Sequence, residues 1–169
     1  MHKYLSLLGY QGPNTLLILI LVMLFITTKE RSFSIYAIII AWQMASHLLN
    51  IAIKLFLKAP RPDSDKDPNF PHLKTTFKNF LIVHRNYGMP SGHAQSVISE
   101  LTFIAIYFKN PLVTAIAGAQ AALTLYQRYQ TRRHSIKQLL MGSAVGLIVG
   151  FALLLSPPFN QCLQSGHMK

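Results

Sequence analysis

Tyr87-Gly88-Met89-Pro90-Ser91-Gly92-His93 marks the point where a polar, basic stretch runs into an apolar one. Pro90 and Gly92 predict a bend, and the apolar residues that follow predict a helix starting there. Ser91 then stands where a hydroxyl caps a helix, and His93 puts an imidazole in the first turn. That turn carries N–H groups without intrahelical partners and a partial positive charge. It therefore attracts anions, phosphate above all.

On both sides of this stretch the chain is built from long apolar runs. Residues are 51% apolar and 12% charged, and the apolar ones are continuous rather than spaced at amphipathic intervals, which indicates a membrane protein. Five runs predict five spans: Thr15–Thr28, Ser34–Leu57, His93–Phe108, Leu112–Leu125 and Leu139–Leu155. The first falls short of the roughly 20 residues a span needs, and Asn14 with its neighbours extends it into the interface. No small-residue cleavage site follows it, so it reads as a retained helix. Residues 1–13 are short, mixed and broken by Gly9, Gly12 and Pro13. Within the polar stretch 58–89, Leu73, Phe77, Phe80, Leu81 and His84 repeat at helical spacing. A helix in the interface plane and a solvated loop fit that pattern equally. The 169 residues predict a single domain, and one cysteine, Cys162, excludes an intrachain disulfide.

Two helices carry further patterns. Gln43, His47, Asn50 and Lys54 share one face of the second span. Polar groups inside a bilayer face a bundle interior or a wet cavity. Gln43 and Asn50 read as hydrogen-bonding glue between helices. His47 fits a packed core position and a site position equally, and Lys54 lies near the helix end. Gly142, Gly146 and Gly150 recur every four residues on the fifth span, a spacing that lets two helices approach closely.

The formal charge is +11, from 16 Lys and Arg against 5 Asp and Glu. The apolar runs leave little soluble surface for a nucleic acid, so a phosphorylated substrate or anionic headgroups fit the charge better. Basic loops also orient membrane helices toward the cytoplasm. Threading the spans in order puts 12 of the 16 bases on one membrane face, with three clusters among them. The first is Lys54 through Arg61-Pro62, the second Pro90-Ser91-Gly92-His93, and the third Arg128 with His134 and Gln138. Arginine offers a planar fork for phosphate oxygens, and lysine a point charge. A nucleophilic imidazole needs a free nitrogen and a partner that fixes its tautomer.

Lys-x6-Arg-Pro, Pro-Ser-Gly-His and Arg-x5-His, in this order, resemble the three-part signature of the type 2 phosphatidate phosphatase superfamily. These are membrane lipid phosphatases related to acid phosphatases and vanadium haloperoxidases. The resemblance covers about residues 36–155 of a single domain spanning 1–169. It implies an all-α, multi-pass membrane bundle of about five transmembrane helices with an acid phosphatase-like core. It also implies His134 as nucleophile, through a phosphohistidine, and His93 as general acid and then base. Lys54, Arg61 and Arg128 would hold the phosphoryl oxygens, with hydrogen bonds from Ser91 and the Gly92 N–H. Gln138 would orient His134 by accepting from its Nδ1–H.

Two positions depart from the family pattern: Gln127 replaces the usual Ser, and Gln138 the usual Asp. His-x3-Gln, with a stretch like Gly88–Gln95, resembles dolichyl diphosphatases. This implies a polyprenyl diphosphate substrate and, in a eukaryotic source, the endoplasmic reticulum membrane. A phosphatidate or other lipid monophosphate phosphatase, or an inactive lipid-binding member, are the alternatives. No cofactor or metal is expected. Asp63, Asp65 and Asp67 read as a solvated loop, because Pro68 stands where an EF-hand needs glycine. A transferase using Asp63 and Asp65 with Mg²⁺ is the competing enzyme class, and sensitivity to a chelator separates the two.

Overall fold

Among the residues described by the computed structural model, 2–27, 33–62 and 87–165, the chain forms seven α-helices and no strand. They are α1 His2–Tyr10, α2 Gly12–Thr27, α3 Phe33–Leu57, α4 Gly92–Phe103, α5 Pro111–Gln130, α6 Ile136–Leu155 and α7 Pro157–Ser165. A π-helical turn, Ile104–Phe108, prolongs α4. Lys109 then enters the left-handed region at φ 51°, and Asn110 caps α5 by accepting from the Leu112 and Val113 N–H groups at 3.1 Å. Proline at the first position of α5 has no N–H to leave unpaired there. The candidate interfacial stretch, Leu73 to His84, lies outside the described residues.

The spans predicted from the apolar runs all appear as helices. α3 and α6 are long and apolar enough to cross a membrane, and α2 is apolar over 16 residues. The segment read as short and broken, 1–13, instead contains α1. The Gln11 N–H still bonds the Leu7 carbonyl at 3.0 Å, so Gly9 does not end the helix. The break comes at Gln11, just before Pro13, which has no N–H to continue the ladder.

α4 is the central helix and packs against α6, α5, α2 and α3. Leu16, Ile20 and Leu24 form one stripe of α2, and together with Ile35 and Ile39 of α3 and Val97, Phe103 and Ile104 they make one apolar core. Phe103 also meets Tyr107, Phe108 and Phe159 as an aromatic cluster, with ring centroids 5.1 to 5.9 Å apart. Outward-facing Ile18, Ile26, Met44, Leu48, Leu112, Leu140 and Ile148 are exposed, leaving an apolar outer surface.

The glycine stripe of α6 has the packing role read from its spacing. A Cβ on Gly142, Gly146 or Gly150 would meet the Ser91, Gln95 or Ser99 carbonyl oxygen of α4 and its cap at 2.5, 2.5 and 2.8 Å. Only hydrogen fits at these three points, so the two backbones lie against each other. On α3 the buried face is Ile35, Ile39, Gln43, Ser46, Asn50 and Lys54. Gln43 donates to Glu100 at 2.7 Å, and Asn50 donates to Gln95 at 2.8 Å. Gln95 in turn donates to the Ser46 carbonyl and hydroxyl at 2.8 and 2.9 Å. This is the polar glue expected of Gln43 and Asn50. His47 departs from both of its readings: Ser46 takes the inward position, and His47 is exposed.

Candidate active site

Helix ends build the site. Lys54 lies in the last turn of α3 and Arg128 in the last turn of α5, where the unpaired carbonyls favour cations. Lys58, at φ 47°, ends α3 in the left-handed conformation and turns the chain toward Arg61. Pro60 then forms an antiparallel bridge with Tyr87, and the Gly88 N–H donates to the Ala59 carbonyl at 2.8 Å. The first and second clusters, distant in sequence, are stitched together there. Arg132, at φ 52°, makes the corresponding turn after α5, and the His134 N–H returns to the Arg128 carbonyl at 3.3 Å. The Ser91 N–H bonds the Gln138 carbonyl at 3.0 Å, which locks the start of α4 to the start of α6.

The three clusters converge. Lys54, Arg61 and Arg128 lie within electrostatic reach of both His93 and His134. Lys54, Arg128 and His134 are buried, and His93 is half-buried. Ser91 caps α4, its Oγ accepting from the Ala94 N–H at 3.4 Å. The N–H groups of Gly92 and His93, in the same first turn, have no intrahelical acceptor. Arg128 Nη2 bonds His93 Nε2.

His134 sits in the loop between α5 and α6. Its Nδ1 bonds the Gly88 carbonyl at 3.0 Å, so Nδ1 carries the proton and Nε2 keeps its lone pair. Burial pushes its pKa down to about 3, and the neighbouring Arg61, Lys54 and Arg128 charges push the same way, against the opposing pull of the Gly88 carbonyl. The ring is neutral at physiological pH, the form a nitrogen nucleophile requires.

Gln138 does not have the place predicted for it. Its Oε1 accepts from the Ser135 N–H at 3.1 Å while the Ser135 hydroxyl accepts from the Gln138 N–H at 3.4 Å, a capping box at the start of α6. Its Nε2 donates to the Pro60 carbonyl at 2.8 Å. Both ends of the amide are spent on the scaffold, and the Gly88 carbonyl orients His134 instead. The Ser-x-x-Gln spacing of Ser135 and Gln138 is itself a capping-box pattern and signals this role from sequence. A Cβ on Gly88 would meet the Gln138 amide at 2.5 Å, so a larger residue there would have to push that side chain aside.

Gln127, the other departure, faces the N-terminal helix. Its Nε2 donates to Ser6 Oγ at 3.3 Å. Tyr10, at the end of α1, is a site residue that sequence reading missed. Its ring centroid is 5.4 Å from that of His93, and the Arg128 guanidinium carbon lies 4.8 Å from it. No motif near Tyr10 announces this, since only the fold of α1 brings it here. Among the described residues no cluster of three or more His, Cys, Asp or Glu gathers as a metal site, and Asp63, Asp65 and Asp67 lie outside them.

A family model described as the PAP2 superfamily matches residues 32–162. The chain is similar to the lipid A 4'-phosphatase of Porphyromonas gingivalis, 31% identical over 123 residues, which is 73% of this chain and 50% of the relative. It thus spans half the length of the curated relative it matches. Its fold is similar to that of a transmembrane PAP2 type phosphatidylglycerolphosphate phosphatase from Bacillus subtilis. The TM-score is 0.64 at 19% identity, over 95% of this chain and 77% of that one.

Proposed function

Because this chain belongs to the PAP2 superfamily, we propose that it is an integral-membrane phosphatase that removes phosphate from a lipid phosphomonoester through a phosphohistidine. The observation that carries this reading is the shared surround of the two imidazoles: Lys54, Arg61 and Arg128 act on both. α2 to α6 serve as five crossings, supported by the apolar outer surface, and hold this cluster at one membrane face.

In the first step the His134 Nε2 lone pair attacks phosphorus and the bond to the lipid oxygen breaks. His93 Nε2 supplies the proton to that departing oxygen. In the second step water attacks the phosphohistidine, His93 takes a proton from it, and the P–N bond breaks to free inorganic phosphate. Lys54, Arg61 and Arg128 offset the charge on the equatorial oxygens, with the Gly92 and His93 N–H groups as further donors. Bound phosphate competes with His93 for Arg128, and its charge favours the protonated His93 that the first step needs.

Similarity to a protein named as a lipid A 4'-phosphatase favours this class over a polyprenyl diphosphate. The diphosphate reading drew on Gln138 beside His134, and Gln138 is committed to the α6 cap and Pro60. Gln95, the last residue of the Gly88–Gln95 stretch in that resemblance, bonds Asn50 and Ser46 and serves the scaffold whatever the lipid. The endoplasmic reticulum has no support apart from that reading.

The test is phosphate release by the detergent-solubilised protein from a panel of lipid mono- and diphosphates, with EDTA present. Release from the monophosphates, lost in His134→Ala, is the expected result. Release from diphosphates alone would favour the polyprenyl reading, and no release at all would leave a lipid-binding member without chemistry.

A further inference from the structure

α1 ends on His93. Its last residue, Tyr10, brings its backbone carbonyl within electrostatic reach of the His93 ring. The carbonyl is available because the helix breaks at Gln11. The ladder resumes with the Thr15 N–H on the Gln11 carbonyl at 2.9 Å, so the carbonyl one residue earlier is outside it. Arg128 can only donate, so its bond to Nε2 makes Nδ1 the nitrogen bearing hydrogen. The side chain of Tyr10 acts on the same pair from a second direction. Its ring lies tilted against the imidazole and under the Arg128 guanidinium, close enough for cation–π attraction.

The position of α1 is itself built. A Cβ on Gly9 would meet Gln127 Cβ at 2.6 Å and the Leu123 carbonyl at 3.0 Å, so α1 lies directly on α5. Gln120 Nε2 donates to the Leu8 carbonyl at 2.9 Å, and Gln127 reaches Ser6. Tyr4, Leu7 and Leu8 are exposed on the opposite side, an apolar face suited to the membrane interface. Gln127, immediately before Arg128, thus ties α1 to the helix that carries the phosphate-binding cation.

Resting on the phosphatase reading above, we propose that α1 completes the active site and that Tyr10 is a positioning residue. Its ring holds His93 and Arg128 in register, and so places His93 Nε2 for delivering the leaving-group proton. The bonds made and broken are those of the two steps already described, and Tyr10 exchanges no proton. The role predicts dependence on the leaving group. An alkoxide must be protonated as it departs, whereas para-nitrophenolate leaves without help.

The experiment measures kcat for wild type, Tyr10→Phe, Tyr10→Leu and Gly9→Val on dioleoyl phosphatidate in mixed micelles and on para-nitrophenyl phosphate. The ratio of the two rates on one sample cancels any inactive fraction. Loosening Arg128 slows both substrates, and misplacing His93 slows phosphatidate further. Tyr10→Leu and Gly9→Val should therefore lower the phosphatidate to para-nitrophenyl phosphate ratio by about ten-fold or more, part of the 10²–10⁴ that general acid catalysis supplies. Tyr10→Phe, which keeps the ring, should keep the wild-type ratio. An unchanged ratio in Tyr10→Leu and Gly9→Val overturns the positioning role while the phosphatase reading stands. A wild-type protein inactive on both substrates overturns the phosphatase reading and this role with it.

Discussion

The two imidazoles share three cations but are held by different parts of the chain. His134 leans on the Gly88 carbonyl, five residues before His93 in the same stretch. His93 lies against the Tyr10 ring, on a helix that precedes the family-matched region 32–162. Among the described residues no carboxylate acts on either ring. A carbonyl can accept a ring proton and fix a tautomer, but it brings no full negative charge to stabilise an imidazolium. That suits a nucleophile, which works as the neutral ring. It suits a general acid less well, and His93 gains a backing from the negative end of α1. The nucleophile is secured by the core of the fold and the acid by an accessory helix.

The largest effect that sharpens this comparison comes from removing each ring in turn. His134→Ala should lower phosphate release at least about 10⁴-fold on every substrate, as loss of a nucleophile does. His93→Ala should cost about 10²–10⁴-fold on an alkyl phosphate and less on para-nitrophenyl phosphate. With labelled substrate, the slower second step should let an acid-labile phosphoenzyme accumulate in His93→Ala and none in His134→Ala. Equal losses on both substrates for His93→Ala would erase the division of labour.

Gly88→Ala should come next. The added methyl meets the Gln138 amide, an overpacking that costs about 1–3 kcal/mol. It shifts the carbonyl under His134, so activity should fall alike on good and poor leaving groups. Gln138→Ala should be milder, costing about 1 kcal/mol through the lost cap, seen as a lower Tm. Gln138→Asp should leave substrate preference unchanged, because the side chain faces Ser135 and Pro60. A switch in preference would restore the predicted contact with His134.

The smallest expected effect is no effect. The folded pKa of His134 lies near 3, below its value of about 6.5 in an unfolded chain. In the phosphate-free protein its ring resonances, assigned by difference from His134→Gln, should stay flat from pH 8 to 5. The unfolded chain takes up this proton as pH falls through about 6.5 and the folded chain does not. His134 therefore destabilises the fold progressively between pH 6.5 and 3. A midpoint near 6.5 in the folded protein would show a solvated ring with the cations farther away.

Much of this was legible in the sequence because it is local. Helix-starting Ser91 and His93, Lys54 near its helix end and the Gly142–Gly150 stripe are patterns within a few turns, and the structure puts each where its spacing implied, whereas the helix before Arg128 runs past Leu125 and takes Arg128 into its last turn. The polar face of α3 was legible within one residue: Gln43, Asn50 and Lys54 turn inward, and Ser46 displaces His47. Gln138 was misplaced because resemblance assigned it a partner, while its own capping box with Ser135 claimed the same amide first. Tyr10 was out of reach for a different reason. Its role depends on a helix break, a glycine contact and a neighbour 83 positions away in sequence (His93), none of which leaves a periodic trace.

The backbone contact between α4 and α6 has a mechanical consequence. Three glycines leave no side-chain layer to compress, and the Ser91 to Gln138 bond pins the two helix starts. Tilting or thinning of the surrounding bilayer must carry both histidine mounts along as one rigid piece. The gauge between nucleophile and acid is thereby insulated from the fluctuations of the lipid in which the protein sits.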